Sequence, residues 1–174
     1  MKKDYQRILI LSDSHSAEDR VRRLFSEQAA HFDLAVFLGD GLRDLDPDGV
    51  MGGIPVYAVK GNCDGFFGDY MNVPTERRLT VGAKNILLTH GHRFDVKYGL
   101  EKLALYAAQN GYDVALFGHT HEPIEKHVTV CLDNGEERRV ALFNPGSIGA
   151  GYGGASFGTL TVRSGQLLFG HGKI

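Results

Sequence analysis

Five short apolar segments of the 174-residue sequence are each followed by side chains that commonly bind metal ions. In chain order these side chains belong to Asp13, His15, Asp40, Asn62, His90, His92, His119 and His121. Carboxylate, imidazole and amide oxygen ligands together suit manganese, iron, nickel or zinc. Two such ions about 3.5–4 Å apart can clamp the attacking and leaving oxygens of a phosphoryl displacement and activate a water molecule. The residue types therefore predict a dinuclear metal centre able to cleave phosphate esters.

Each of these side chains has an ordinary structural explanation when it is taken alone. Asp13 could cap the helix that follows it, and Asp40 could be a turn residue after a strand. Asn62 follows a glycine, as turn residues often do, and a single His-x-His pair is more often a surface or core feature than a ligand pair. What favours a metal site is the joint occurrence of all these residues, in order, at the ends of successive predicted strands.

Strands alternate with helices through the first two thirds of the sequence, which indicates a mainly parallel sheet with helices on its faces. Apolar runs predict strands at 8–11, 34–38, 56–59, 77–81, 86–89 and 114–117. Helical spacing predicts one helix over 17–30 with Ser16 as its N-cap, and a second over 96–107. Since open α/β sheets bind ligands at the carboxyl ends of their strands, we expect the metal-binding residues to meet at one edge.

The last third of the sequence has the pattern of antiparallel hairpins. Asp133-Asn134-Gly135 separates two alternating runs at 125–132 and 138–143, and Ser164-Gly165 separates runs at 157–163 and 166–170. These signals predict a parallel-rich sheet first and an antiparallel-rich sheet later, within a single domain over residues 1–174.

Composition and charge exclude several other classes of protein. With 43% hydrophobic and 23% charged residues, the chain has the composition of an ordinary globular domain. A net charge of −2 provides no general attraction for nucleic acid or anionic membranes. Two cysteines, no apolar leader and no apolar run of about 18 residues favour a soluble, cytoplasmic protein. The expected partner is a small phosphoester substrate, and the sequence leaves formation of a homo-oligomer open.

As an ordered set, the motifs resemble those of the calcineurin-like metallophosphoesterase superfamily. The set consists of Asp13-x-His15, Gly39-Asp40, Gly61-Asn62, His90-Gly91-His92 and Gly118-His119-Thr120-His121. The small size, the Gly61-Asn62-Cys63-Asp64 form and the later Asn144-Pro145-Gly146-Ser147 are similar to its compact prokaryotic phosphodiesterase branch. The resemblance spans residues 8–149 and implies an α/β fold, a four-layer α/β/β/α sandwich of two mixed sheets.

The resemblance also implies a ligand set and a mechanism. Asp13, His15 and His121 would hold one metal ion. Asn62, His90 and His119 would hold the other, and Asp40 would bridge the two. A hydroxide bridging the ions would attack phosphorus in line with the leaving group. The expected cofactor is a pair of divalent ions, with manganese as the first candidate and nickel, iron, zinc or magnesium as the others.

One residue departs from the wider superfamily pattern. Many relatives carry a histidine directly after the ligand asparagine, where it can protonate the leaving group or contact phosphate, and here that residue is Cys63. The expected catalytic residues are therefore Asn62, Cys63 and His92, with His92 taking over part of the missing histidine's role. The alternative is that Cys63 is merely a small buried residue. Without a strong acid, the enzyme should favour esters with good leaving groups.

The sequence also allows comparison with two other functions, and it contains three further motifs. A catalytically inert scaffold would share the fold, as the retromer subunit does, but here every expected ligand position is filled. A metallo-β-lactamase-type enzyme would need a His-x-His-x-Asp-His run, which is absent. Asp64 could support the site by hydrogen bonding, and the 144–147 loop is either near the site or a plain turn. The aromatic segment 66–71 is either core, a pocket wall or a subunit contact.

Overall fold

A computed structural model describes residues 5–65, 70, 72–150 and 153–174. The strands are β1 (Tyr5–Leu11), β2 (Leu34–Phe37), β3 (Val50–Met51), β4 (Ile54–Ala58), β5 (Glu76–Val81), β6 (Lys84–Thr89), β7 (Val114–Leu116), β8 (Pro123–Cys131), β9 (Glu137–Pro145), β10 (Ser156–Arg163) and β11 (Gln166–Lys173). The helices are α1 (Glu18–Gln28) and α2 (Glu101–Gln109), and short 3₁₀ turns occupy Ala29–His31, Leu42–Asp44 and His92–Phe94. Of the predicted aromatic segment 66–71, all but Tyr70 lies outside the described residues. Across the described ranges, no helix is long and apolar enough to cross a membrane.

The strands form two mixed sheets, as the family resemblance implies. The first sheet has the order β11-β10-β1-β2-β4-β3, and the second has the order β5-β6-β7-β9-β8. Each sheet has three parallel central strands, β1-β2-β4 in the first and β6-β7-β9 in the second. The remaining strands pair antiparallel at the flanks. The parallel centre of each sheet therefore delivers its strand ends to one edge.

The two late hairpins do not form a sheet of their own, so the expected order of a parallel-rich and then an antiparallel-rich sheet is wrong. The β10–β11 hairpin returns to the first sheet and pairs with β1, whereas β8–β9 extends the second sheet beside β7. Leu160 and Val162 of β10 are buried between the two sheets. A local turn signal predicts a hairpin, but the sheet edge on which the hairpin docks depends on long-range burial.

Three apolar clusters separate four layers. Alternate residues of β1 point in opposite directions, so that Ile8 and Ile10 pack between the sheets while Leu9 and Leu11 pack under α1. The cluster under α2 includes Leu87 of the second sheet. The order of layers is thus α1, first sheet, second sheet, α2. This is the α/β/β/α sandwich that the resemblance implies.

Both helices begin later than their sequence patterns predict. Ser16 is not the N-cap of α1, since Ala17 occupies that position and no side chain caps the helix. The backbone N–H of Ser16 instead donates to Asp44, at 3.0 Å. The second helix begins at Glu101, and Val96 packs against it from a preceding loop. That loop passes through a left-handed conformation at Asp95 (φ 54°), which no helix can include.

Candidate metal centre

The first predicted ligand set forms a tight cluster at the ends of β1 and β7. Nε2 of His121 lies 3.1 Å from Oδ1 of Asp13, and Nε2 of His15 lies 3.8 Å from the same oxygen. The two imidazole Nε2 atoms are only 3.2 Å apart. Oδ1 of Asp13 is buried and accepts no hydrogen bond from the described residues. An unsatisfied buried carboxylate oxygen facing two imidazole nitrogens fits a divalent cation, which would satisfy all three atoms.

The second set surrounds the buried side chain of His90. Nδ1 of His90 lies 2.7 Å from the carbonyl oxygen of Leu38, so it carries the proton and donates. In the neutral imidazole this leaves the lone pair on Nε2, which is 3.3 Å from Oδ2 of Asp40 and 3.1 Å from Oδ1 of Asn62. The ring of His119 lies with its centroid 5.0 Å from that of His90. A backbone carbonyl that fixes the tautomer of an imidazole is the usual support for a metal-binding histidine.

Asp40 lies between the two sets. Its carboxylate shares one cluster with His90 and His119 and another with His15 and Cys63, with the ligand atoms of each cluster within 4.8 Å of one another. Nε2 of His90 is also 3.9 Å from Oδ1 of Asp13, so the two ligand sets adjoin. All seven residues predicted as ligands therefore lie at one site, and Asp40 is within reach of His15 in the first set and of His90 and His119 in the second.

Backbone strain is concentrated in the same residues. Five of the seven predicted ligands have left-handed backbone conformations that non-glycine residues rarely adopt: Asp13 (φ 56°), His15 (46°), Asp40 (60°), His119 (69°) and His121 (61°). Each such conformation costs about 1–3 kcal/mol and persists only where the surroundings enforce it. The strain turns each side chain back across the strand ends, which is how short loops can aim separate residues at one point.

Asp64 ties two of the ligand loops together. Its Oδ2 accepts the backbone N–H groups of Asp40 and Gly61, both at 2.8 Å. Its Oδ1 accepts those of Gly41 and Leu42, at 2.8 and 2.9 Å. One buried carboxylate thus satisfies four backbone donors. The structure shows the hydrogen-bonding support that the sequence suggested for this residue.

The loop at 144–147 forms hydrogen bonds with the segments that carry the first ligand set. Nδ2 of Asn144 donates to the carbonyl oxygen of Gly118 at 2.8 Å and to Thr120 at 3.1 Å. The hydroxyl of Ser147 donates to the carbonyl oxygen of Asp13 at 2.8 Å. The sequence was compatible with either a plain turn or a loop near the site, and these contacts show that the loop lies near the site. Ser12, whose hydroxyl donates to the Asp13 carboxylate, was not among the residues predicted from the sequence. The one feature that could have indicated it is a polar residue at the end of a buried strand.

Asp40 and His90 shift each other's pKa values because they carry opposite charges. Burial acts to raise the pKa of Asp40, but the hydrogen bond and charge of His90 and the N–H of Cys63 outweigh it and hold that pKa well below its usual range. Burial acts to lower the pKa of His90, but Asp40, Asp13 and the Leu38 carbonyl outweigh it and raise that pKa. Asp40 is therefore ionised throughout the physiological range, and His90 holds a proton more tightly than an ordinary histidine.

The other two imidazoles near the second set are neutral at pH 7. Burial lowers the pKa of His119 to about 4, with a further contribution from the charges of His90 and Lys97. Burial also lowers the pKa of His92, whose ring centroid is 5.3 Å from that of His90. Nδ1 of His92 is buried without a partner among the residues described. A neutral His119 is ready to bind a metal ion without losing a proton first.

Lowering the pH should weaken metal binding through His90. An ion bound at its Nε2 must displace the proton that Asp40 stabilises, so we expect affinity for Mn²⁺ to fall by up to about tenfold per pH unit between pH 8 and pH 6. Isothermal titration calorimetry at both pH values measures this change. In the metal-free protein the same raised pKa stabilises the fold at low pH, and this contribution is lost as the pH rises through the folded-state pKa of His90. Affinity that does not change with pH would contradict the assignment.

Cys63 is exposed, so the alternative that it is a small buried residue is wrong. Desolvation of its thiol and the neighbouring carboxylate of Asp40 raise the pKa of Cys63 to about 11. Nδ2 of Asn62 lies 3.3 Å from Sγ, and the backbone N–H of Cys63 donates to Asp40 at 2.7 Å. The thiol is therefore protonated at neutral pH and is a weak acid, poorly matched to proton transfer near pH 7.

Asp40 occupies the space that a side chain at Gly61 would fill. A Cβ atom at Gly61 would lie 2.1 Å from Oδ1 and 2.5 Å from the backbone nitrogen of Asp40. We expect Gly61→Ala to displace the bridging carboxylate and to lower Mn²⁺ affinity by at least about tenfold, as measured by calorimetry. Gly65→Ala is the matched control, because no atom of the described residues lies within 4 Å of a Cβ there. Equal affinity in the two variants would show that the close approach does not matter.

Comparison with known proteins gives consistent matches over nearly the whole chain. Residues 7–165 match the family model of the calcineurin-like phosphoesterase superfamily domain. Phosphodiesterase YfcE of Escherichia coli K12 is 32% identical, over 88% of this chain and 86% of its own length. A predicted phosphoesterase from Streptococcus pneumoniae has a solved structure with a TM-score of 0.72 at 25% identity, covering 96% of this chain and 88% of that one. Vps29 from Entamoeba histolytica has the same fold, with a TM-score of 0.66 at 21% identity, covering 97% and 99%.

Proposed function

This chain belongs to the calcineurin-like phosphoesterase superfamily, and from that premise we propose that it is a phosphodiesterase that uses two divalent metal ions. The observation that carries the proposal is the pair of adjoining ligand sets on either side of Asp40. When bound, the ions would supply hydroxide as the nucleophile by lowering the pKa of a water molecule between them, and would withdraw charge from the phosphoryl oxygens. Manganese is the first candidate for both sites, since the carboxylate and carbonyl oxygen ligands suit it.

The proposed ligands divide into two sets around one bridge. Asp13, His15 and His121 would hold one ion. Asn62, His90 and His119 would hold the other, and Asp40 would contact both. Asp40 suits this role because it is ionised and its second oxygen is fixed by the N–H of Cys63. Leu38, through its carbonyl oxygen, keeps the Nε2 lone pair of His90 directed into the site.

Two neutral side chains are proposed to handle the substrate itself. The side-chain amide of Asn62 can bind a metal ion through its oxygen and donate a hydrogen bond to a phosphoryl oxygen through its NH₂ group. His92 stands next to the second ligand set and can donate a hydrogen bond in its neutral form. The raised pKa of Cys63 argues against that thiol as the proton donor. The site then favours esters whose leaving groups depart without a proton.

Leaving-group dependence separates the roles of His92 and Cys63. We expect Cys63→Ala to stay within about threefold of wild type on bis-p-nitrophenyl phosphate, because nitrophenolate needs no proton and the thiol is a poor acid. We expect His92→Ala to lose at least about tenfold, with a larger loss on diphenyl phosphate, because its phenolate leaving group is more basic than p-nitrophenolate. Steady-state kinetics with Mn²⁺ measures both. A large loss in Cys63→Ala that grows with leaving-group pKa would return the acid role to Cys63.

The experiment that tests the proposed function is a turnover screen. Wild type is stripped of metal and assayed on bis-p-nitrophenyl phosphate and p-nitrophenyl phosphate with Mn²⁺, Ni²⁺, Fe²⁺, Zn²⁺ or Mg²⁺ added. We expect turnover of the diester to exceed that of the monoester and to depend on added metal. Absence of turnover with every metal would favour the inert scaffold, the alternative function that this fold allows.

A further inference from the structure

Two arginine side chains stand on the rim of the metal centre, fastened to the segments that carry the first ligand set. Nη2 of Arg43 donates to the hydroxyl of Ser16, the residue after a proposed ligand. Nη1 of Arg20 donates to the carbonyl oxygen of Gly149. The N–H of Gly149 in turn donates to the carbonyl oxygen of Asp13, at 3.1 Å. Both guanidinium groups are therefore held beside the site by neutral acceptors.

These two arginines differ from their neighbours in having no ion pair. Arg22 pairs with Glu18 at 2.8 Å and with Asp46 at 3.1 Å, and Arg23 pairs with Glu27 at 2.8 Å. Within the described part of the chain, the two rim arginines have no carboxylate within salt-bridge distance, and both are exposed. No described carboxylate therefore neutralises the charge of either guanidinium group.

The nearest buried acid does not neutralise that charge. Asp44 is buried directly after Arg43 on the same 3₁₀ turn. Its Oδ2 accepts the backbone N–H of Ser16 at 3.0 Å and the hydroxyl of Ser14. The carboxylate is thus turned inward, where it fixes the loop that presents the Ser16 hydroxyl and the Arg43 guanidinium together.

We propose that Arg43, Arg20 and Ser16 form an anion subsite for a second phosphoryl group of the substrate, beside the phosphoryl group that is attacked. The inference rests on the proposed function and narrows its substrate class to nucleotide-like esters that carry two phosphoryl groups. A guanidinium binds phosphate through two parallel hydrogen bonds, and the serine hydroxyl adds another donor. Ser16 directly follows the proposed ligand His15, so the Arg43 guanidinium that bonds to its hydroxyl is fastened to the loop that carries the first ligand set.

Equilibrium binding tests the subsite. AMP, ADP and adenosine 3′,5′-bisphosphate are titrated at low ionic strength into Mn²⁺-loaded wild type, Arg43→Gln, Arg20→Gln and Arg23→Gln. We expect at least one bisphosphate to bind wild type about fivefold or more tightly than AMP does, and this ratio to fall below about twofold in Arg43→Gln. Arg23→Gln is the matched control, because the Arg23 guanidinium already pairs with Glu27, and it should keep the wild-type ratio. The bisphosphate whose affinity exceeds that of AMP indicates the spacing between the two phosphoryl sites.

Two outcomes would overturn the subsite. One is that neither bisphosphate binds wild type more tightly than AMP, and the other is that the gain survives in both Arg43→Gln and Arg20→Gln. Thermal unfolding of each variant shows whether it is folded. The ratio does not depend on hydrolysis, so its failure counts against the subsite alone. Failure of wild type to turn over any diester counts against the proposed function alone.

Discussion

Asp40→Asn should reduce kcat/KM on bis-p-nitrophenyl phosphate by on the order of 10³-fold, equivalent to about 4 kcal/mol of transition-state stabilisation. Asparagine keeps the shape of the side chain and an oxygen that can accept the N–H of Cys63. It removes the negative charge that faces His90 at 3.3 Å and that both ligand sets share. A neutral amide is a poor bridge between two cations, so we expect the loss to appear mainly in kcat at saturating Mn²⁺.

A metal-dependent readout distinguishes this loss from misfolding. Wild type should gain thermal stability when Mn²⁺ is added, because the ions bind only the folded state. Asp40→Asn should show a much smaller gain while unfolding cooperatively without metal. Asp48→Asn, which changes an exposed carboxylate outside the site, should behave as wild type in both assays. Wild-type rates in Asp40→Asn would refute the assignment of the bridge.

Asp64→Ala should destabilise the protein severely, although Asp64 is not proposed to touch a metal ion. Its carboxylate accepts four backbone N–H groups, from Asp40, Gly41, Leu42 and Gly61, and alanine would leave them without acceptors. Each buried donor left unsatisfied costs about 1–3 kcal/mol, so a loss of about 4 kcal/mol or more is expected. For a domain of this size, that corresponds to a fall in Tm of roughly 8–16 °C.

Activity should fall with stability in that variant, because the four donors belong to the loops that carry Asp40 and Asn62. We expect Asp64→Ala to lose a further tenfold to about 100-fold in Mn²⁺ affinity at a temperature where it is folded. Asp48→Ala is the matched control, since Asp48 is exposed and accepts one backbone N–H, that of Val50. Differential scanning calorimetry and metal titration measure the two effects. A Tm within 2 °C of wild type, as an approximate threshold, would show that water replaces the carboxylate.

The ligand positions could be predicted from sequence because one rule of sheet geometry orders them. Asp13, Asp40 and Asn62 follow parallel strands of the first sheet, and His90 and His119 follow parallel strands of the second, and parallel strands bring their carboxyl ends to one edge of their sheet. The spacing between the residues along the chain is irrelevant once the strands are parallel. The residue types then limit the chemistry to a divalent metal site.

What the sequence did not reveal depends on contacts between distant segments. The bond from Arg43 to Ser16 and the bond from Ser147 to Asp13 join loops that no local pattern connects. The placement of the β10–β11 hairpin beside β1 depends on which strand leaves an unpaired sheet edge in the folded chain. The second helix begins late because residues 95–98 form a separate turn, closed by the bond from the Tyr98 N–H to the Asp95 carbonyl oxygen, although their apolar spacing is compatible with a helix.

The most direct test of the dinuclear centre is titration of Mn²⁺ into the metal-free protein, followed by electron paramagnetic resonance. The bridging role of Asp40 predicts that wild type binds two ions per chain and that the second equivalent produces the signal of a spin-coupled pair. Asp40→Asn should lose that coupling. A wild-type protein that binds one ion, or two ions without coupling, would contradict a shared site around Asp40.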